Sequence, residues 1–178
     1  MKLVDCFQDA YILESVDKEN KKKLTIVCHG LPGRVIINNR ILNAAQLYRY
    51  IPHWTTLSGL HKIHLVACDS ATRMTYGDHR YLSASTPDSI GIYLSMRLPS
   101  VYIKCYSGKV TNQCSTDLLW PIHCALGQQQ TEEIIRSAFK VLKDNVDSHY
   151  HAVTYHNGDV FRQKYPVIRH NNLDYGVL

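Results

Sequence analysis

Two stretches decide the fold: Leu24-Thr25-Ile26-Val27-Cys28-His29-Gly30 and, further along, Ile63-His64-Leu65-Val66-Ala67-Cys68-Asp69-Ser70. Each begins as a short apolar run rich in β-branched residues, the pattern of a strand buried on both faces of a parallel sheet. Each ends in a residue able to do chemistry. The first delivers an imidazole followed by a glycine, the second a thiol preceded by an alanine. In an open α/β sheet the C-terminal ends of parallel strands border the crevice where ligands bind. A cysteine and a histidine brought there together form a nucleophile and its base.

Outward from these runs, strand and helix signals alternate. Residues 1–16 carry short apolar pieces, including Tyr11-Ile12-Leu13, and are expected to supply one strand. Leu31-Pro32-Gly33 marks a turn, and Val35-Ile36-Ile37 reads as a short strand or flap. Asn43 is placed to cap a helix through Ala44, Leu47, Tyr48 and Ile51, with Pro52 as its stop. Asp69 to Ser85 reads as loop. Thr86-Pro87-Asp88 supplies a cap, a proline at the first helical position and an acid in the first turn of a helix carrying Ile90, Leu94 and Leu98 and ending before Pro99. Val101–Tyr106 is a third core strand, closed by Ser107-Gly108. Residues 112–130 lack a clear period. Thr131 opens the strongest helical pattern, with Ile134, Ile135, Ala138, Val141 and Leu142 on one stripe. Ala152–Tyr165 reads as a hairpin around Asn157-Gly158, a type I′ turn signature. This alternation predicts an α/β fold: a three-layer sandwich on a mostly parallel central sheet, with a C-terminal β-hairpin. Without repeat, linker or low-complexity segment, residues 1–178 are expected to form a single domain.

Composition narrows the classes of function. The 178 residues are 45% hydrophobic and 20% charged, with no apolar stretch long enough to span a bilayer. Met1-Lys2-Leu3-Val4-Asp5-Cys6 lacks the apolar core of a secretory signal. The net charge of +5 is mild. The basic run Lys21-Lys22-Lys23 reads as a solvated loop, so no nucleic-acid partner is expected; that would take a broader basic face with interleaved aromatics. The six cysteines (6, 28, 68, 105, 114 and 124) form no C-x-x-C pair and no tight framework, which suits a reducing, cytoplasmic compartment. Cys28 and Cys105 fall inside strands, where a thiol behaves as a small apolar group. The closest histidine pairs, His149-x-His151 and His61-x-x-His64, lack companion ligands at zinc spacing, so neither metal nor cofactor is expected.

The chemistry therefore centres on His29 and Cys68. A thiol attacks only as thiolate, and a neighbouring imidazole can take its proton. Gly30 allows close approach of the backbone to a substrate, and its N–H together with that of Cys68 could stabilise an oxyanion; one such donor is worth about 3 kcal/mol in the transition state. Ala67 is small enough for a sharp turn at the nucleophile.

A hydrophobic strand ending in His-Gly, followed by one ending in Ala-Cys, resembles the caspase-like (clan CD) cysteine peptidases: caspases, legumain, clostripain, gingipain, separase and the self-processing protease domains of large bacterial toxins. The toxin domains are the most similar, with a polar stretch after the cysteine, an amphipathic helix (here Ser89-Ile90-Gly91-Ile92-Tyr93-Leu94) and a strand into a glycine turn (Val101 through Val110). The resemblance covers roughly residues 24–111. It implies a caspase-like fold and a thiol protease acting on a peptide or protein substrate. In it His29 is general base and acid, Cys68 the nucleophile forming an acyl-enzyme, Gly30 and Cys68 the oxyanion donors, and Asp69, Ser107 and Gly108 substrate-pocket residues. A Cys–His dyad suffices in this family; Asp5, Asp9 and Asp17 are open as acidic orienters. Some toxin relatives are activated by an inositol phosphate through clustered cations, for which Lys104, Lys109, Arg162, Lys164 and Arg169 are the counterparts here. By the same analogy the protein is bacterial, cytoplasmic or an effector delivered into a host cell cytosol.

Two other readings compete. His29-Gly30-Leu31-Pro32-Gly33 also matches the oxyanion loop of α/β-hydrolase esterases, in which case the Ala67–Ala71 elbow would present Asp69 as nucleophile, with Asp147 or Asp159 and His151, His156 or His170 completing the site. A catalytically silent caspase-like binding module is the other.

Overall fold

The chain opens with a hairpin. Strands β1 (Lys2–Cys6) and β2 (Ala10–Val16) pair antiparallel around a turn in which the Phe7 N–H donates to the Ala10 carbonyl at 2.7 Å. The first sixteen residues thus make two strands, not the single one expected: the polar Gln8-Asp9 pair divides the apolar pieces. The computed structural model describes residues 1–72, 89–142, 150–164, 169–170 and 173–174.

After β2 come β3 (Lys22–Leu31), β4 (Arg34–Ile37), β5 (Arg40–Asn43), helix α1 (Ala44–Trp54) and β6 (Leu60–Val66). Helix α2 (Ile90–Arg97), β7 (Tyr102–Gly108), the two-residue β8 (Thr111–Asn112), α3 (Thr116–Ala138), β9 (Val141–Leu142), β10 (Tyr150–His156) and β11 (Asp159–Lys164) follow. The short strands β12 (Arg169–His170) and β13 (Leu173–Asp174) pair with each other.

The main sheet runs in the order β1-β2-β3-β6-β7-β10-β11. Only β3, β6 and β7 are mutually parallel; β1 and β2 on one side and β10 and β11 on the other join antiparallel. The expectation of a mostly parallel sheet is therefore corrected to a mixed one with a parallel centre. Hairpins need only a tight turn, whereas each parallel pair needs a crossover. Helices α1 and α2 lie within the two crossovers.

The α/β layering follows from strand alternation. Leu24, Ile26, Ile63, Leu65, Ile103 and Cys105 are fully buried on one face beneath Leu47 and Ile51 of α1 and Ile90 and Leu94 of α2. Tyr11, Leu13, Val27, Val66 and Tyr106 on the other face meet Leu119 and Ile135 of α3.

Local signals account for most boundaries. Asn43 and Gln46 form a reciprocal capping box at α1, both bonds 2.9 Å. The helix passes Pro52 and continues to Trp54. Pro52 lies in the last turn, where Trp54 is buried and stacks on Tyr50, and the Thr55 N–H still reaches the Ile51 carbonyl. The cap of α2 is Ser89, not Thr86; residues 86–88 lie outside the described part. Helix α3 begins at Thr116, well before the expected Thr131. Gly127 (φ 80°, ψ −178°) breaks it in two, and Pro121 with the exposed Leu118 and Leu126 hides the helical period of its first half. Val141 and Leu142, expected on the helical stripe, instead pair with Thr111 and Asn112. The hairpin at Asn157-Gly158 forms as expected, with φ of 51° and 85°.

One buried polar pair marks the sheet centre. His64 and Tyr106 share a hydrogen bond of 2.7 Å. Burial, reinforced by Lys104, Lys23 and Lys62, holds the imidazole well below its usual 6.5. The folded state therefore resists a proton that the unfolded chain accepts below about pH 6.5, so this group's contribution to stability is complete above that pH and declines as pH falls. Urea unfolding at about pH 7.5 and 5.5 should show the wild type losing up to about 1.4 kcal/mol per unit below 6.5 from this group. His64→Gln should lose correspondingly less over the same interval.

Candidate functional site

The candidate site sits where β3 and β6 end. Their parallel register runs to Val27↔Val66, and His29 and Cys68 each follow two residues later. The period of two returns both to the sheet face that carries Val27 and Val66, the face beneath α3. His29 is exposed and Cys68 half-buried. β3 continues past β6, and His29 pairs with Ile36 of β4. The strand following His29 is thus fastened from the side away from Cys68.

Gly30 is where the two chain segments meet. A Cβ built there would lie 2.0 Å from the Cys68 carbonyl oxygen, 2.8 Å from its nitrogen and 3.0 Å from the Ala67 carbonyl carbon. All three are backbone atoms, which cannot swing aside. The glycine is required by proximity to the segment bearing the thiol.

The Cys68 sulfur lies against the backbone of Val110. The Val110 N–H donates to Sγ at 3.4 Å, and the thiol faces the Val110 carbonyl at 3.6 Å. Both contacts are with the main chain, so they do not depend on which side chain stands at position 110. Sequence reasoning misses Val110, because its contribution is main-chain and leaves no mark on residue type.

The loop after Cys68 is tied to the end of β7. Asp69, with φ of 53°, donates its N–H to the Gly108 carbonyl at 2.9 Å, and its Oδ1 accepts the Gly108 N–H at 2.9 Å and the Thr72 hydroxyl at 3.2 Å. Ser70 is fully buried. Its hydroxyl donates to the Ala67 carbonyl at 2.8 Å and accepts the Tyr106 N–H at 3.0 Å. Asp69 and Gly108, expected to line a substrate pocket, are thus bonded to each other, with the half-exposed Ser107 beside them. Ser70 is a second element that sequence reasoning misses; a small hydroxyl residue after a strand gives no sign of being the tie between two strand ends.

The candidate orienting acids are engaged elsewhere. Both carboxylate oxygens of Asp9 accept backbone N–H groups, of Asn38 and Asn39, at 2.7 Å. Asp17 lies near the N-terminal end of β3, accepting from Glu19 and Lys21 and lying 3.6 Å from His61. The Asp5 carboxylate accepts the Cys6 N–H at 3.1 Å. Of the residues considered for a hydrolase site, His156 is stacked on Tyr102 at 4.4 Å, Asp159 lies opposite it in the hairpin, Asp147 is outside the described residues and the side chains of His151 and His170 are not described.

Four of the other thiols are buried. Burial pushes Cys6 up to about 11, Cys105 up to about 12 and Cys28 higher still. Cys114 is buried and also raised, and Cys124 is exposed. Among the described residues no group of three or more His, Cys, Asp or Glu could hold a metal ion, and no helix is long and apolar enough to cross a membrane. Of the five cations considered for an anionic activator, Lys104 and Arg162 share a row through Thr154, Lys164 lies two residues on, Lys109 is at the opposite end of β7, and the side chain of Arg169 is not described.

No protein-family model, curated protein or solved structure matches the chain.

Gly30→Ala should force the two strand ends apart. We expect a loss of about 1–3 kcal/mol in urea unfolding, the usual cost of overpacking. Cys68 should react with iodoacetamide at a changed rate while Cys124 is unaffected, as peptide mapping would show.

Proposed function

We propose that this protein is a cysteine peptidase of the caspase-like kind, with Cys68 as nucleophile and His29 as general base and acid. The observation that carries the reading is the contact of Gly30 with the Cys68 backbone at the ends of two parallel strands. It brings the segment holding the imidazole against the segment holding the half-buried thiol. The likeness of the two motifs to the caspase-like pattern supplies the reaction class.

In this mechanism the imidazole of His29 takes the proton from Cys68 Sγ. The thiolate attacks the substrate carbonyl carbon, forming the C–S bond as the carbonyl π pair moves to oxygen. The N–H groups of Gly30 and Cys68 are the proposed donors to that oxyanion. Collapse breaks the C–N bond, and the imidazolium gives its proton to the leaving amine. Water, deprotonated by the same imidazole, then attacks the thioester and regenerates the thiol. Ser107, beside the Asp69–Gly108 clasp, is the proposed rim of the pocket for the substrate side chain.

The alternative nucleophile, Asp69, fits less well: its Oδ1 already accepts two hydrogen bonds that hold the loop together.

A panel of peptide electrophiles with differing first side chains tests the reading. Mass spectrometry should find the adduct on Cys68 and not on the exposed Cys124. Cys68→Ala should abolish labelling and peptide hydrolysis, and His29→Ala should slow both by about 10²-fold or more, the usual worth of a general base. Equal labelling of Cys68 and Cys124, or hydrolysis surviving Cys68→Ala, would overturn it.

A further inference from the structure

The same face of the sheet that carries Cys68 continues, away from α3, into a polar surface. Register assigns its rows. Lys23 of β3 pairs with Lys62 of β6, which pairs with Tyr102 of β7, and the ring of Tyr102 stacks on His156 of β10. The next row reads Thr25, His64, Lys104, Thr154 and Arg162 across β3, β6, β7, β10 and β11. The row after that is Val27, Val66 and Tyr106, already beneath α3. The surface therefore spans five strands, about 19 Å at ordinary strand spacing.

Its composition is costly for the protein alone. Lys23 and Lys62 stand directly opposite on neighbouring strands, where like charges repel. Lys104 lies one row on, and the buried His64 among them is kept neutral. Among the described residues, the carboxylates near this face are at its margins: Asp17 beside His61, Glu19 paired with Lys21 next to it, and Asp159 at the hairpin.

Aromatic rings are set among these cations. Tyr102 is met edge-on by His61 at 5.2 Å and by Phe161 at 4.9 Å. The irregular register between Thr154 and Tyr155 leaves Phe161 as the extra residue of β11. Phe161 is 62% exposed although it contacts the ring cluster, so much of this large apolar side chain remains open to a ligand.

We propose that this face binds a single-stranded nucleic acid, its phosphates drawn to Lys23, Lys62, Lys104 and Arg162 and a base stacked on Phe161. Cations that repel one another suit a polyanion, and rings beside them suit unpaired bases, whose flat faces an open sheet can accept. A duplex hides its base faces, and an acidic peptide has no need of an aromatic platform. The inference is independent of the peptidase reading.

The test is fluorescence anisotropy with a labelled oligo(U) of about twelve nucleotides and its oligo(dT) counterpart, within the usual range of site sizes, across a salt series. Wild type should bind one or both with affinity falling as salt rises. The Lys62→Gln, Arg162→Gln double variant should bind about tenfold more weakly at about 0.1 M salt, with a shallower salt slope. Phe161→Ala should weaken binding about fivefold or more with the slope unchanged, the mark of lost stacking rather than lost charge. Thermal melts establish that the variants are folded, as expected for exposed or half-exposed positions. Failure of wild type to bind either oligomer at about 50 mM salt, where phosphate contacts are strongest, would overturn the proposal. So would equal binding of a duplex of the same length, or binding of a poly-glutamate peptide or inositol hexakisphosphate as tight as that of the oligomers with Phe161→Ala without effect.

Discussion

The parallel pairing of β3 with β6 is the constraint on which the rest depends. It is closed at its C-terminal end by a backbone contact that only glycine permits. With a side chain at position 30, the His29 strand could not lie against the Cys68 segment without displacing a carbonyl. The contact rests on a buried ladder: Leu24, Ile26, Ile63 and Leu65 are all fully removed from water. Burial on this scale stabilises by about 1.5–3 kcal/mol per side chain before entropy is counted. The apolar run that marks each strand is thus the same feature that holds the polar strand ends in place.

A second layer of constraint fastens the Cys68 loop to β7. Asp69 bonds Gly108 through both main chain and side chain, and Ser70 lies fully buried between Ala67 and Tyr106. These bonds exchange one kind of strand pairing for another: β6 ends at Val66, and its continuation still meets β7 through turns and side chains. An acid in the left-handed region is tolerated because its short side chain satisfies the neighbouring backbone. The sulfur consequently meets the Val110 backbone just beyond β7, so the environment of the thiol is set by three strand ends at once.

What can be read from residues alone follows from this physics. Strand cores, the Asn43 cap and the Asn157-Gly158 turn are legible because each rests on local chemistry within a few residues. The mixed character of the sheet is not, because antiparallel neighbours such as β7 and β10 are brought together across α3 and a long interval of sequence. Helix α3 is hidden by Pro121 and Gly127, which normally end helices, and by exposed leucines that blur its period. The His29 and Cys68 placements rest on reading two strands of equal direction, and β3 and β6 are parallel neighbours. The main-chain groups of Val110 and the tie made by Ser70 have no sequence signature. The basic face is hidden for a related reason: Lys23, Lys62, Lys104 and Arg162 are distant in sequence and become neighbours only through register.

The face that carries Cys68 holds cations and a thiol on one sheet. A thiol that is to ionise gains from nearby positive potential, yet close cations also discourage protonation of an imidazole. His64 is driven to the neutral form first by burial and then, as the second effect, by three neighbouring lysines. Lys23 and Lys62 lie well back along their strands, whereas His29 is exposed near the far end of β3. The lysine row and the His29 end of β3 are thus separated along the strands. The row of Val27, Val66 and Tyr106, covered by α3, supplies that separation, so the helix that is least regular in sequence stands between the cationic surface and the proposed dyad.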